Sequence, residues 1–274
     1  MNIPTVQQLL EAGVHFGHQV RRGHPRMREY IYGVRDGVHI INLELSEKLL
    51  KETAEEAFKL GKEGKVLLFV GTKKQAQPIV KEAATQAGAP FIDFKWKGGF
   101  LTNFDEIRKN IKKLKDLKEK KEKGELSHYT KKEQLLLTRK IEKFEMEWSG
   151  VADLEKIPDA LFIIDCVAEK TAVAEAIRVE IPVLAIADTN CNPLLINYLI
   201  PGNDDATKSI KILTETIANA YAEGLKISSK GASEEKGKEE SKEKEEVVGE
   251  IAEEVAAAEE EVEKEAVKEA ERIV

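Results

Sequence analysis

Cysteine is scarce in this 274-residue chain: Cys166 and Cys191 lie far apart and form no CxxC pair, so neither a disulfide framework nor a zinc ribbon is suggested. Long hydrophobic runs are missing too. The longest apolar stretches, LFII and IPVLAIA, are of strand length, and the first residues lack the basic and apolar regions of a signal peptide. These absences lead us to expect a soluble, unprocessed, cytoplasmic protein. There is no GxGxxG, no GxxxxGK[ST] and no HExxH. No Ser/His/Asp or Cys/His constellation can be argued either, so an enzyme has no positive support.

One local absence is the most informative. Residues 13–28, GVHFGHQVRRGHPRMR, contain Arg21, Arg22, Arg26 and Arg28, together with His15, His18 and His24, and no acid. In a chain of net charge -7, such a density of positive charge asks for an anionic partner, and RNA is the first choice. The acidity belongs to one end: residues 229–274 hold 8 Lys/Arg against 17 Asp/Glu, a net -9 that leaves +2 on the rest. That end consists mainly of Glu, Lys, Ala and Val and cannot bury enough surface to fold alone, so it reads as a disordered acidic low-complexity tail.

From Lys65 onward, apolar β-branched runs at 66–70, 90–94, 160–165, 182–188 and about 197–200 alternate with helical patterns. Fully apolar strands separated by helices predict a parallel sheet covered on both faces, with right-handed crossovers. The fold class expected is α/β, a doubly wound sheet of about five strands, built from residues 1–102 and 149–228 with a basic N-terminal segment.

Residues 103–148 form an insertion of different character. Phe104, Ile107, Ile111 and Leu114 are spaced 3, 4 and 3, and Leu137, Ile141, Phe144 and Trp148 are spaced 4, 3 and 4, the seam of two helices packed on each other. Asn103 with Glu106 and Thr130 with Glu133 have capping-box spacing, and a turn at Gly124 completes an antiparallel coiled-coil hairpin. Helices of about 20 residues would project roughly 30 Å. Between Lys95 and Lys140 there are 15 Lys/Arg against 7 Asp/Glu, among them Arg108, Lys109, Lys112 and Lys113, an excess that favours a polyanion.

Further candidates flank the sheet. Gly71-Thr72-Lys73-Lys74 follows a strand and opens a helix, where a phosphate could rest on backbone amides; Lys73 and Lys74 would serve equally on an RNA phosphate. In KWKGGF, Lys95 and Lys97 could hold phosphates while Trp96 either stacks on a base or packs at the root of the hairpin. Asp165 and Asp188 end strands, and Asp204 and Asp205 precede the last helix. No metal and no other cofactor is expected; were a structural divalent cation held here, Asp188, Asp204 and Asp205, with His39, are the candidates. The competing readings are a nucleotide-binding switch or enzyme using the turn at Gly71, and an adaptor that binds protein without RNA.

Seven strings occur in order: GVHFGHQ, HIINLE, FVGTKKQA, WKGGFLTNF, PDALFIID, IADTNCNP and IPGNDDA. Over about residues 3–227 the chain thereby resembles the bacterial small-subunit ribosomal protein S-two family, universal ribosomal protein uS2. The resemblance implies a flavodoxin-like α/β domain with a protruding coiled-coil hairpin. It also implies a non-catalytic constituent of the small subunit that binds 16S rRNA on the solvent side between head and body. The implied protein partners are neighbouring small-subunit proteins, including the large mRNA-binding ribosomal protein one; neither a membrane nor a small-molecule substrate is implied. The RNA-facing positions would be Arg21, Arg22, His24, Arg26, Arg28, Lys73, Lys74, Lys95, Trp96, Lys97, Arg108, Lys109, Lys112 and Lys113. This chain has Lys95-Trp96-Lys97 where the family commonly has Arg-Trp-Leu, so a bidentate arginine contact is not available there.

Overall fold

Thr5 and Gln8 cap each other reciprocally and start α1 (Val6–Glu11). The computed structural model describes residues 2–123, 128 and 130–228; the turn expected at Gly124 and the acidic tail at 229–274 lie outside the described residues. After α1 come β1 (Phe16–Gln19), two 3-10 turns (Val20–Arg22 and Pro25–Tyr30), β2 (Ile31–Arg35) and β3 (Val38–Ile41). These strands form a small antiparallel sheet in the order β1-β3-β2. Its hairpin turns on Asp36 and Gly37, both at positive φ (51° and 75°), the backbone that a two-residue turn between right-twisted strands demands. Asn42 then caps α2 (Leu43–Lys62), its side chain accepting from the amides of Glu44 and Leu45.

The main sheet follows. Its strands are β4 (Leu67–Val70), β5 (Phe91–Ile92), β6 (Ala160–Ile164), β7 (Val183–Ala187) and β8 (Tyr198–Pro201). All pairs are parallel, in the order β5-β4-β6-β7-β8, so the expected parallel sheet of five strands is present. Because side chains alternate faces along a strand, each apolar run feeds two cores. Leu67 and Phe69, Phe162 and Ile164, and Leu184 and Ile186 face one core, shared with α2, with α3 (Gln77–Ala87) and with the last helix, α7 (207–228). Leu68 and Val70, Leu161 and Ile163, and Val183 and Ala185 face the other, shared with α6 (Lys170–Arg178) and with Trp96, Phe100 and Trp148. Each such large side chain contributes about 1.5–3 kcal/mol on burial, enough to fix which residues leave the strand ends together.

Between β5 and β6 lie α4 (Phe104–Glu122) and α5 (Lys131–Trp148). Phe104, Ile107, Ile111 and Leu114 of α4 and Ile141 and Trp148 of α5 are buried, and Lys118 pairs with Glu145 across the two helices at 3.0 Å. The Thr130–Glu133 capping box forms. The one assigned to Asn103 does not: Asn103 makes no side-chain cap, its backbone amide donates to the Gly99 carbonyl at 2.8 Å, and Glu106 accepts from Lys109 at 2.6 Å.

The anionic end of the sheet and the candidate RNA interface

β5 and β6 lie on opposite sides of β4, so the chain changes winding direction at β4 and a crevice opens at the carboxyl ends of β4 and β6. Lys73, just beyond β4, fills it. Its Nζ lies 2.6 Å from Asp165 Oδ2, 2.8 Å from Asp204 Oδ1 and 2.9 Å from Asp205 Oδ1. Burial alone would lower this ammonium's pKa, but the surrounding carboxylates of Asp204, Asp165 and Asp205 outweigh burial and hold it well above the usual lysine value. Asp165 adopts a left-handed backbone (φ 65°), and its Oδ1 accepts from the amides of Val167 and Ala168 at 2.9 and 3.0 Å. A strained non-glycine residue whose two carboxylate oxygens are both engaged is held by its surroundings.

The phosphate-cradle reading of Gly71-Thr72-Lys73 does not survive. Thr72 donates from its amide (3.2 Å) and its hydroxyl to the buried Glu169 carboxylate, and Lys73 is consumed by aspartates, so a phosphate here would meet anions. The same three aspartates hold the Lys73 charge within the protein.

The same acids hold the basic segment. His18, on β1, donates through its amide to Asp188 Oδ1 (3.1 Å) and Thr189 Oγ1 (3.0 Å), and its Nδ1 lies 2.7 Å from Asp188 Oδ2. The hydrogen bond to Asp188 raises the His18 pKa against the opposing effect of burial. Gly17 permits the approach, since a Cβ there would sit 2.7 Å from Thr189 Cγ2. The His24 amide adds a bond to the Thr189 carbonyl at 2.7 Å. Asp204 is only 1% exposed; burial, and then the charges of Asp165 and Asp188, push its carboxyl up to about 7 although Lys73 pulls the other way. His18 is the residue that spacing missed, because testing the three histidines against HExxH hides a pairing with acids some 170 residues away. His39, its proposed counterpart, is buried on β3 beside Gly23 and does not join the converging group of His18, Asp188 and Asp204.

Cys166 and Cys191, distant in sequence, meet as buried thiols; a hydrogen bond to Cys191, with burial, raises the Cys166 pKa well above its ordinary value and leaves it a poor nucleophile.

Arg21, Arg22, Arg26 and Arg28 are all exposed on the two 3-10 turns, with Arg21 Nε braced on Gln19 at 2.9 Å. His24 is half-buried and spends Nδ1 in accepting from the Arg26 amide at 3.3 Å. Lys74 and Lys95 are exposed, as are Arg108, Lys109, Lys112 and Lys113 along α4, where Lys109 is paired with Glu106. Lys97 is bound to Glu147 at 2.7 Å. Trp96 is 6% exposed, packed against Phe100, and its indole N–H donates to Glu175 Oε1 at 3.1 Å. The ring is thus covered, and of the two roles the sequence allows, packing is the one the structure displays. Glu175 is itself held below the usual carboxylate range: burial works to raise it, but the amides of Gly99, Leu101 and Thr102 and the Trp96 indole donate to it and prevail.

The family model described as Ribosomal protein S2 matches residues 9–224. The chain belongs to the ribosomal protein S2 family. The small ribosomal subunit protein uS2 of Wolinella succinogenes is 45% identical over 230 residues, 84% of this chain and 85% of its own length. That of Sulfurimonas denitrificans is 46% identical over 230 residues (84% and 89%), and that of Coprothermobacter proteolyticus is 44% identical over 236 (84% and 88%). The S2 family consists of structural ribosomal proteins, not enzymes, as the missing catalytic constellations lead one to expect. Among the described residues no helix is long and apolar enough to cross a membrane.

Proposed function

We propose that this chain is a structural constituent of the small ribosomal subunit that binds 16S rRNA by shape and charge. Family membership and the four exposed arginines of residues 13–28 carry the reading. Arg21, Arg22, Arg26 and Arg28 neutralise phosphates, and Lys74, Lys95, Arg108, Lys112 and Lys113 extend that surface. Lys97, Lys109 and His24 contribute only by exchanging partners they already have. The anionic cluster acts from behind: it neutralises Lys73 and ties β1 to the sheet, so the arginines are presented on a fixed base.

Residues 1–102 and 149–228 form the flavodoxin-like body and 103–148 a coiled-coil hairpin that braces against folded RNA. The site on the particle is the solvent side between head and body, in the bacterial cytoplasm. There the protein helps dock the large mRNA-binding ribosomal protein one; the exposed apolar side chains of Phe16, Tyr32 and Val34 on the small sheet support a protein contact. In cells carrying only a variant with Arg21, Arg22, Arg26 and Arg28 changed to Glu, sucrose-gradient fractions should show small subunits depleted of the protein while the purified variant keeps the parent's melting transition. Normal occupancy would dismiss this surface.

A further inference from the structure

We infer that Glu175 is the positioning residue of the two-helix insertion: its carboxylate, planted on α6, gathers residues 96–102 around itself and so sets the angle at which α4 and α5 leave the body. Five neutral donors converge on it. The Trp96 indole N–H (3.1 Å) and the Gly99 amide (2.8 Å) donate to Oε1, while the amides of Leu101 (3.0 Å) and Thr102 (3.3 Å) and the Thr102 hydroxyl (3.4 Å) donate to Oε2. Backbone amides aim at one point only where the chain curls, and Gly99 supplies the curl at φ 89°, a left-handed conformation open to glycine.

Packing alone does not call for an acid at this position. The neighbours of Glu175 on α6, Ala172, Val173 and Ala176, are apolar core, and a buried carboxylate is tolerated only where donors are arranged for it. Apolar contact is also non-directional, whereas hydrogen bonds weaken steeply once bent, so the carboxylate fixes an angle that the apolar root leaves free. The bonds sit where both legs of the insertion begin. Thr102 stands two residues before α4, and Phe100, in the same curl, stacks on Trp148, the last residue of α5, with ring centroids 6.5 Å apart and planes 12° apart. Lys97 reaches the same leg through Glu147 at 2.7 Å.

Leverage makes the angle matter. α4 has 19 residues, so at about 1.5 Å per residue a tilt of about 10° at its root carries the far end about 5 Å and Lys113 about 2 Å. Charge-assisted contacts to phosphate span about 2.7–2.9 Å, and a displacement of about 2 Å breaks them. The effect on RNA rests on the insertion bracing against rRNA; the angle itself does not.

The full chain is labelled with nitroxides at Glu52→Cys on α2 and Lys120→Cys on α4, both exposed positions, while Cys166 and Cys191 are buried. Double electron–electron resonance should give a narrow distance distribution in this labelled parent and a broad or displaced one after Glu175→Gln, whose amide keeps the size but turns an NH2 toward donors. Trp96→Phe with Thr102→Val removes two of the five donors and leaves the carboxylate in place, so it should broaden the distribution less and decides the matter if Glu175→Gln does not fold. In Glu175→Ala, acetate, and not chloride at the same concentration, should narrow the distribution again by returning a carboxylate to the curl. Binding of 16S rRNA by Glu175→Gln should weaken roughly tenfold, with a shallower salt dependence. A parent distribution that is already broad, folded variants that match the parent, or a Glu175→Ala distribution that acetate and chloride leave equally broad, overturns the proposal. Broadening with undiminished rRNA affinity supports Glu175 as the positioning residue and overturns instead the bracing of the insertion against RNA.

Discussion

Lys73 and Lys74 are adjacent, chemically identical and opposite in role. Lys73 is drawn into the crevice by three aspartates, while Lys74 is exposed. Lys73→Met should destabilise the fold by about 3 kcal/mol, because it leaves buried carboxylates without their cation, whereas Lys74→Met should fall within about 0.5 kcal/mol of the parent in the same denaturant titration. His18 gives the cluster a pH dependence. Its folded pKa is raised above the ordinary 6.5, so the stability it contributes is fully present below pH 6.5 and is lost as pH rises through the folded value. An NMR titration in EDTA should find the His18 midpoint above 6.5 in the parent and lower in Asp188→Asn; identical midpoints would remove Asp188 as the cause. The acids at the strand ends were legible from sequence. Which lysine answers them was not, since that depends on the direction each side chain takes after β4.

At the scale of elements, α2 and α7 cross glycine against glycine. A Cβ at Gly224 would sit 2.2 Å from the Phe58 carbonyl oxygen, and one at Gly61 would sit 2.3 Å from that of Tyr221. Both obstacles are backbone, so no rotamer relieves them. Gly224→Ala should therefore lower stability by about 1–3 kcal/mol despite the better helix propensity of alanine, while Gly98→Ala, with nothing within 4 Å, should be tolerated. Calorimetric melting of the two variants decides it. In sequence these glycines look like helix breakers; only the crossing shows why they stand there. The five buried strands announce themselves as unbroken apolar runs, because both their faces are covered. The small sheet of β1, β2 and β3 does not, since its strands are only partly buried and are interrupted by register shifts. Asp36-Gly37 was the available signal, a dipeptide suited to a two-residue hairpin turn.

For the molecule as a whole, the formal charge of -7 misleads, because cations meet a partner locally and not as an average. Binding of the full chain to 16S rRNA should weaken steeply with salt. Replacing Arg21, Arg22, Arg26 and Arg28 with Gln should flatten the log-log slope by roughly one for each phosphate that is no longer neutralised. Filter binding across a salt series measures both, and a slope unchanged by the four substitutions would mean that the arginines do not meet phosphate.

Sequence by itself determined the parallel sheet, the two-helix insertion and the cationic strip, because each is written in local periodicity or local charge, and burial on both faces or on one leaves its mark residue by residue. Tertiary structure alone decided that Lys73 serves the protein and not a phosphate, that Trp96 is core, and that His18 meets Asp188 and Asp204. Those outcomes turn on groups brought together from strand ends far apart along the chain, and a spacing rule confined to sequence neighbours carries no record of them.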